Sequence, residues 1–587
     1  MMKKISIFAI SVLALGCTSE SSVSDVSSSN GVTEATTDAW DKGAMVATAN
    51  PHATAAAIQM LEKGGHAVDA AIAAHAVLGL VEPQSSGLGG GGFMLVFERE
   101  GTQLTFHEGR EVAPAGATVD MFMRDGVVMS FLEAWQSGQS VGVPGAVALY
   151  KSAHEQHGRL PWADLFQPAI KLATEGFEVS PRLAGFLPRV AKAGRLAKNP
   201  PTAAYFFPNG QPLQVGHLLK NPEYANTLSR IAVEGIDAFY RGDIAAAIAK
   251  AAQAEPNPGT LTIEDIAAYQ PVKRPVICGA FRQLSICTTS PPSSGGAQIM
   301  IAGLYDHLVK DATTQKDKVA AFVDAQRLAY ADRDHYFGDP DEVDVPIDDL
   351  LNPEYLKHRA TERIAPGAVP TPGDPGLVLH QESAASLWGS DTTEEASGTT
   401  HLSIIDAQGN AASLTATVEA PFGSSRWAAG FLLNNELTDF ARDVSADGPR
   451  PANAIAPGRR PRSSMSPSMV FDANGELLMV TGSPGGNSIP AYVAKSIVGV
   501  FDWGLTPQEA VNHANIIARG EKVRVEVSVE PGQAIADDLK QRGYNVQERQ
   551  GENSGLHVIV VEDDTLKGAA DERREGTVAI PRDPTAK

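Results

Sequence analysis

Two threonines are predicted to face each other across a hairpin. The segment SGTTHLSIIDAQGNAASLTATV contains two apolar runs of strand length separated by DAQGN, which suits a loop. With that loop, Ile405 pairs with Ala411, and the same register places Thr399 opposite Thr417. Directly opposed hydroxyls can hydrogen-bond, and a hydroxyl becomes a useful nucleophile when a base lies next to it. The pattern alone also fits an ordinary β-ladder, and a slip of one residue would separate the pair.

A glycine pair suggests a second chemical role. TGSPGGN follows the strand-like ELLMV and precedes NSIPAYVAKSIVGVF, in which Pro490 suits the first turn of a helix. Gly485 and Gly486 therefore lie beside a helix start, where backbone N–H groups favour negative charge. A tight turn between strand and helix would need the same glycines. Another glycine run, residues 87–92, precedes a strand instead of following one, which argues against a dinucleotide site.

The elements that must position these residues change in character along the chain. Alanine-rich helices are predicted at 53–63 and 67–80, and further helices in PGAVALYKSAHEQHG, at 162–173 and in DKVAAFVDAQRLAYADRDHYF. From His401 onward, apolar runs of strand length alternate with turn residues. A helix-rich first part and a strand-rich later part indicate sheets covered by helices.

Composition limits the classes of function. The chain has 587 residues, 43% of them hydrophobic, which is enough for a large core. Its formal net charge of −21 repels polyphosphate, so we expect no nucleic-acid partner.

The start of the chain is typical of an export signal. Lys3 and Lys4 precede an apolar run, residues 5–15, that is too short to span a membrane. We predict a signal peptide at 1–17 and a Ser/Thr-rich tether at 18–40. Either Cys17 becomes lipidated, which would attach the protein to a membrane, or ordinary secretion cleaves nearby. Both outcomes predict a periplasmic or cell-surface protein, and lipidation would make it an outer-membrane lipoprotein.

The remaining cysteines and histidines leave two questions. Cys278 and Cys287 lie symmetrically about a turn in PVICGAFRQLSIC, at positions that either a disulfide or two buried thiols would suit. His154 and His157, and the acidic stretch DRDHYFGDPDEVDVPIDD, lack a recognised ligand spacing. We interpret them as a solvated helix face and an acidic surface loop, and predict no metal.

Motifs in one order along nearly the whole chain after the tether resemble the gamma-glutamyltransferase family, whose members are N-terminal nucleophile hydrolases. They include GREVAP, SVGVPGAVALY, PPSSGG, TTHLSIIDAQGN, FGSS, LLNNELTDF, RPRSSMSPSMVF, TGSPGGN and GAADERREG. The resemblance implies an α+β fold, a four-layer αββα sandwich built from two fragments of one precursor, and an enzyme that needs no cofactor.

The resemblance also implies the nucleophile. The first threonine of TTH, Thr399, attacks after the precursor has cut its own bond to Gly398, which leaves a large subunit at 41–398 and a small subunit at 399–587. Physical chemistry explains this order: the new α-amino group, with a pKa of about 7.7 to 8.0, supplies the missing base near neutral pH. By the same resemblance, Gly485 and Gly486 stabilise the oxyanion.

A gamma-glutamyl donor carries an α-carboxylate and an α-ammonium. The family pattern assigns the carboxylate to Arg110, Ser463 and Ser464, because a guanidinium can bind it with two hydrogen bonds. It assigns the ammonium to Glu419, Glu436 and Asp439. Some members have Asn in place of Glu419, which leaves the donor preference open.

The first functional hypothesis is gamma-glutamyl transfer from glutathione or a related amide to water, an amino acid or a peptide. The second keeps the chemistry but changes the acyl group, as in a cephalosporin (glutaryl) acylase or a poly-gamma-glutamate-processing enzyme. It is suggested by segment 441–461, which is shorter than in members with a lid over the site. The third is a lipoprotein that keeps the fold without turnover.

Overall fold

Two antiparallel sheets of seven and six strands form the centre of the protein. The computed structural model describes residues 40–194, 196–362, 364–383, 388–443, 449–563 and 565–582. The predicted signal peptide and nearly all of the tether lie outside these residues. Within them, no helix combines the length and the apolar character that crossing a membrane requires.

The strands of the described residues are β1 Met45–Thr48, β2 Gly91–Glu98, β3 Gln103–Gly109, β4 Met123–Arg124, β5 Val127–Val128, β6 Phe177–Glu178, β7 Leu218–Leu219, β8 Val272–Arg274, β9 Val276–Phe281, β10 Leu284–Thr289, β11 Gly398–Ile405, β12 Ala411–Glu419, β13 Trp427–Ala428, β14 Phe431–Leu432, β15 Ser468–Phe471, β16 Leu477–Thr481, β17 Ile516–Arg519, β18 Lys522–Glu526, β19 Asn545–Arg549, β20 His557–Glu562, β21 Thr565–Ala570 and β22 Thr577–Ala579.

The α-helices of the same residues are α1 Pro51–Glu62, α2 Ala67–Val81, α3 Phe131–Trp135, α4 Ala146–His157, α5 Gln167–Glu175, α6 Pro181–Ala193, α7 Pro200–Phe206, α8 Pro222–Glu234, α9 Asp237–Tyr240, α10 Gly242–Ala252, α11 Ile263–Ala268, α12 Gly295–Leu308, α13 Gln315–Tyr336, α14 Ile347–Leu350, α15 Pro353–Arg359, α16 Pro375–His380, α17 Ile489–Phe501, α18 Pro507–Asn512 and α19 Gly532–Gln541. The predicted helix at 162–173 divides into a 3₁₀ turn, Trp162–Phe166, followed by α5.

Strand β2 shows how the sheets are sandwiched. Its residues alternate between two cores: Met94 and Val96 belong to one apolar cluster, and Phe93, Leu95 and Phe97 belong to the other. Successive side chains of a strand point to opposite faces, so both faces of the sheet that contains β2 are buried.

Four layers result. The seven-stranded sheet has the order β22-β1-β11-β12-β2-β3-β8, and the six-stranded sheet has the order β21-β20-β16-β15-β10-β9. Helices α2 and α4 pack on the first sheet, and α12 packs on β9 and β10 of the second. The two sheets contact each other through β11, β12 and β16. The predicted α+β sandwich of αββα type is confirmed.

The sheets combine strands from both sides of the predicted cleavage point. In the first sheet β12, β22 and all of β11 except Gly398 lie after that point, and in the second β15, β16, β20 and β21 do. Separating the two fragments would expose both cores, so a cut at this point would leave them associated.

Cys278 and Cys287 are directly opposed on β9 and β10. They form a disulfide with a Cα–Cα distance of 4.1 Å, which decides between the two states expected from the sequence.

The surface interpretation of the histidines and of the acidic stretch is wrong in part. His157 is buried, and its Nδ1 lies 2.6 Å from a Glu98 carboxylate oxygen. In the acidic stretch, Asp332 is fully buried and pairs with Arg359 at 2.9 Å. Both residues are on helices packed on several sides, where partners for their polar groups come from elements distant in sequence. Among the described residues, no group of three or more His, Cys, Asp or Glu side chains is arranged to hold a metal ion.

Candidate active site

The predicted hairpin has the expected register. Ile405 pairs with Ala411 and Thr399 with Thr417, while Gly398 lies opposite Glu419, so a bulge follows Thr417. Leu402 and Leu414, on the other face of the same strands, belong to the core beneath the helices. The two threonines therefore face the second sheet, at the end of the gap between the sheets.

The two hydroxyls form a network around the bond predicted to break. Thr399 Oγ1 and Thr417 Oγ1 are 3.1 Å apart, and Thr417 also donates to the carbonyl oxygen of Gly398 at 2.9 Å. The backbone N–H of Glu419 donates to Thr417 Oγ1 at 2.8 Å. Because the single proton of Thr417 is used on the carbonyl, Thr399 is the donor in the contact between the hydroxyls. Thr417 thus polarises the carbonyl that Thr399 would attack.

Glycine is required at position 398 because the surrounding backbone leaves no room for a side chain. A Cβ atom at this position would lie 2.4 Å from the carbonyl oxygen of Ala420 and 2.6 Å from that of Glu419. Only glycine allows the chain to pass the bulged end of β12 this closely.

The nearest histidine in sequence, His401, is not available as a base. Its Nδ1 lies 2.9 Å from the Thr415 hydroxyl and its Nε2 lies 3.0 Å from the Ser403 hydroxyl. Burial lowers the pKa of His401 well below its usual value, so the ring stays neutral and structural. The base must come from another group, and the α-amino group that a cut before Thr399 would create lies on the nucleophile itself.

The predicted oxyanion glycines precede α17, with a 3₁₀ turn, Gly486–Ser488, leading into the helix. Gly485 and Gly486 have φ angles of 144° and 57°, which disfavour other residues. A Cβ at Gly486 would lie 2.4 Å from the carbonyl oxygen of Glu395 and 2.6 Å from that of Ala396. The glycine loop therefore packs directly against the segment that leads to Thr399.

A small cavity brings most of the predicted residues together. Its volume is about 10 Å³, which is no more than a single water needs. It is lined by Arg110, Thr399, Thr417, Glu419, Glu436, Asp439, Ser463, Ser464, Gly486, Met465, Ile489, Glu395 and Ala396. Gly485 and Gly398 adjoin the cavity without being among these lining residues.

Arg110 is paired with the acidic residues of the same cavity. Its guanidinium donates to Glu436, to Asp439 at 2.8 Å, and to the backbone carbonyls of Pro461 and Arg462. Burial opposes its charge, but Glu436 and Asp439 outweigh this effect and raise the pKa of Arg110. In the uncut chain, the groups predicted to bind the two ends of a donor thus neutralise each other.

The cavity holds more carboxylates than one arginine can balance. Burial raises the pKa of Glu419, Glu436 and Asp439 well above their usual values, and mutual repulsion adds to the effect. Glu111 does not line the cavity but lies 3.6 Å from the Arg110 guanidinium; burial raises its pKa to about 7 although Arg110 opposes the shift. A cavity with this excess of acidic groups favours a cationic occupant.

In the uncut chain, the segment just before the predicted cut occupies the pocket predicted to bind the donor. Glu395 accepts a hydrogen bond from the backbone N–H of Ser464 at 3.0 Å and pairs with Arg333. The backbone N–H of Ala396 donates to Glu419 at 2.7 Å. Segment 395–398 therefore places a carboxylate and an N–H donor on groups that the sequence assigns to a substrate.

Three contributing residues were missed from the sequence. Glu111 follows Arg110 within GREVAP, and Glu395 lies three residues before Gly398. Arg574, in GAADERREG, donates to the carbonyl oxygen of Thr399 at 2.8 Å, and burial lowers its pKa to about 9. For Glu111 and Arg574, their positions inside the recognised motifs were the available signal, whereas Glu395 lies in no such motif. Of segment 441–461, residues 444–448 lie outside the described residues.

Comparison with known proteins agrees with this geometry. The family model described as gamma-glutamyltranspeptidase matches residues 53–580. The chain belongs to the gamma-glutamyltranspeptidase family. It is 36% identical to a glutathione hydrolase proenzyme of Escherichia coli (strain K12), over 91% of this chain and 90% of the relative. It is 35% identical to a glutathione hydrolase proenzyme of Bacillus subtilis (strain 168), over 91% of each chain.

A solved structure shares the fold over nearly the whole length. The cephalosporin acylase from Bacillus halodurans superposes with a TM-score of 0.79 at 27% identity, covering 92% of this chain and 96% of the acylase.

Proposed function

We propose that the protein cuts itself between Gly398 and Thr399 and then transfers gamma-glutamyl groups from glutathione or a related amide to water, an amino acid or a peptide. The observation that carries the proposal is the contact of Thr417 with both the Thr399 hydroxyl and the Gly398 carbonyl, at 3.1 and 2.9 Å. It joins a nucleophile, a polarised carbonyl and an acidic pocket in one place.

Self-cleavage comes first. The Thr399 oxygen attacks the Gly398 carbonyl carbon, the C–N bond breaks, and water hydrolyses the resulting ester. The products are the carboxylate of Gly398 and a free α-amino group on Thr399. That amine, with a pKa of about 7.7 to 8.0, then accepts the proton of its own hydroxyl when a donor arrives.

Donor recognition follows from what the uncut chain places in the pocket. Once segment 395–398 has left, the Ser464 N–H that holds the Glu395 carboxylate can hold the donor's α-carboxylate. Glu419, which accepts from the Ala396 N–H, can accept from the donor's α-ammonium. The incoming ammonium also offsets the excess of buried acidic groups, whose pKa values are raised.

This charge arrangement favours a gamma-glutamyl donor over the glutaryl alternative. A glutaryl group has no ammonium, so Glu419, Glu436 and Asp439 would be left with only the cations that the chain itself supplies, such as Arg110 and Arg442. Burying uncompensated charge is costly. The likeness to a cephalosporin acylase supports the shared fold and the acyl-transfer class.

The test compares donors and acceptors. Processed protein is incubated with glutathione, with and without a dipeptide acceptor, and with a glutaryl amide. We expect release of glutamate from glutathione, a new gamma-glutamyl dipeptide when the acceptor is present, and slower turnover of the glutaryl amide. Faster turnover of the glutaryl amide than of glutathione would favour the alternative.

Export is part of the proposal. The Cys278–Cys287 disulfide supports it, because such bonds persist in oxidising compartments outside the cytoplasm. We expect activity in the periplasmic or membrane fraction of cells, and Cys17→Ala to release it from membranes if that cysteine carries lipid. Equal membrane retention of the variant would contradict lipidation.

A further inference from the structure

An arginine-lined groove lies beside the reacting residues but outside the donor pocket. Its volume is about 570 Å³, and its lining includes Arg189 of α6, Arg524 of β18, Arg549 of β19, Glu552 and Asn553. None of its lining residues lines the donor pocket. Neither Arg189 nor Arg549 has a carboxylate partner among the described residues, and both are exposed.

The groove borders the reacting segment through direct contacts. The Asn553 side chain donates to the carbonyl oxygen of Ser397 at 3.5 Å, one residue before Gly398. Arg574 joins the carbonyl oxygens of Asn553 and Thr399, at 3.0 and 2.8 Å.

A second set of contacts connects the groove to the glycine loop. Arg524 donates to the hydroxyl of Ser488, which caps α17 two residues after Gly486. Residues that line the groove thus contact both the segment before Thr399 and the turn after the glycine pair.

The groove is positive within a strongly acidic protein. Three guanidinium groups face one carboxylate, Glu552, which already accepts from the Tyr492 hydroxyl at 2.6 Å and lies 3.6 Å from Arg524. The chain as a whole carries a formal charge of −21. A local excess of arginine in such a chain attracts a carboxylate that the rest of the surface would repel.

We propose that this groove binds the free carboxylate of the peptide whose amine leaves the donor or accepts the acyl group. The inference rests on the proposed function and names the site on the amine side of the same reaction. In the transfer step the acceptor amine attacks the ester carbonyl. A C–N bond forms, the C–O bond to Thr399 breaks, and an amine proton returns to the Thr399 oxygen through its α-amino group.

The proposed role requires a carboxylate that is set back from the reacting amine, as in a dipeptide. In a leaving or accepting dipeptide the carboxylate lies roughly 7 Å from the amine, two residues along an extended chain. Because guanidinium groups pair with carboxylates in a fixed geometry, Arg189, Arg524 and Arg549 would select peptides over amines without an acidic group.

The test uses the processed full-length protein and the double variant Arg189→Gln/Arg549→Gln. Both side chains are exposed, and self-cleavage into two fragments checks that the variant folds. Arg241→Gln, at an exposed arginine outside the groove, is the matched control. The donor is a gamma-glutamyl anilide, whose leaving group has no carboxylate, and the acceptors are glycylglycine and glycylglycinamide.

We expect the double variant to raise the KM for glycylglycine by about 3- to 10-fold, the range of partly exposed ion pairs, with an unchanged KM for glycylglycinamide. The double variant Arg189→Gln/Arg549→Lys should show a smaller rise in this KM than Arg189→Gln/Arg549→Gln, because lysine keeps the positive charge at position 549. Equal effects on both acceptors, or no effect on either, would overturn the proposal.

A second arm separates the leaving peptide from the accepting one. Hydrolysis of a gamma-glutamyl dipeptide and of its amide, without acceptor, reports on the leaving group alone. If the unsubstituted protein does not turn over the anilide at all, the proposed function fails; if it does and the acceptors do not differ between variant and control, only the groove is refuted.

Discussion

Thr417→Val tests the hydroxyl network at the bond that breaks. The substitution keeps the shape of the side chain and removes the oxygen that contacts the Gly398 carbonyl at 2.9 Å and the Thr399 hydroxyl at 3.1 Å. Thr417 is only 3% exposed, so water cannot easily replace its donor. Losing one buried donor to a developing oxyanion costs about 10²- to 10³-fold in rate. We expect self-cleavage to slow by that factor.

The variant should also lose stability. The Glu419 N–H, which donates to Thr417 at 2.8 Å, would lose its acceptor in a buried site. An unsatisfied buried donor costs about 1 to 3 kcal/mol in the free energy of unfolding.

The assay follows the two fragments on denaturing gels over time after purification of the uncut chain. Thr417→Ser is the matched control, because it keeps the hydroxyl and loses only a methyl group. The control should cut at nearly the original rate. A Thr417→Val protein that cuts as fast as Thr417→Ser would refute the assigned role of the hydroxyl.

Three further predictions concern the same site. Gly398→Ala should remain uncut and unfold at a lower temperature, because its Cβ would lie 2.4 Å from the Ala420 carbonyl oxygen; efficient cutting would contradict this. Glu419→Gln should raise the KM for glutathione about 10-fold or more, through loss of a charged hydrogen bond, but leave a glutaryl amide unaffected, as paired kinetics would show. In uncut Thr399→Ala protein, Glu111 has a pKa raised by burial to about 7, so its contribution to stability is full below about 4.5 and is lost as the pH rises to about 7. Adding Glu111→Gln should remove this decrease in the free energy of unfolding between pH 4.5 and pH 8, which is at most about 3 kcal/mol. Denaturant titrations at the two pH values measure it, and an equal pH dependence of stability with and without Glu111→Gln would contradict the assignment.

Local patterns were enough to predict the hairpin and its register. The loop DAQGN and the alternation on both sides fix Thr399 opposite Thr417, and the structure has this pairing. The same holds for the strands around Cys278 and Cys287, because turn residues and short apolar runs act within a few positions of each other.

Charges in the interior could not be predicted in this way. Arg110 pairs with Glu436 and Asp439, which are more than 300 residues away. The sequence motifs indicate that each residue binds part of a donor, but not that they pair with one another in the uncut chain. The sequence predicts a solvated position for His157, whereas in the structure it is buried against Glu98, which lies on a distant strand. Such contacts depend on how the layers pack, which propensity and periodicity do not encode.

Thr399→Ala compared with the unsubstituted protein tests the central claim most directly, by intact mass and N-terminal sequencing. The unsubstituted protein should consist of two fragments, the smaller having 189 residues and beginning Thr-Thr-His, and it should turn over glutathione. The variant should be one inactive chain. Full activity in a polypeptide that is still continuous through the Gly398–Thr399 bond would contradict the account.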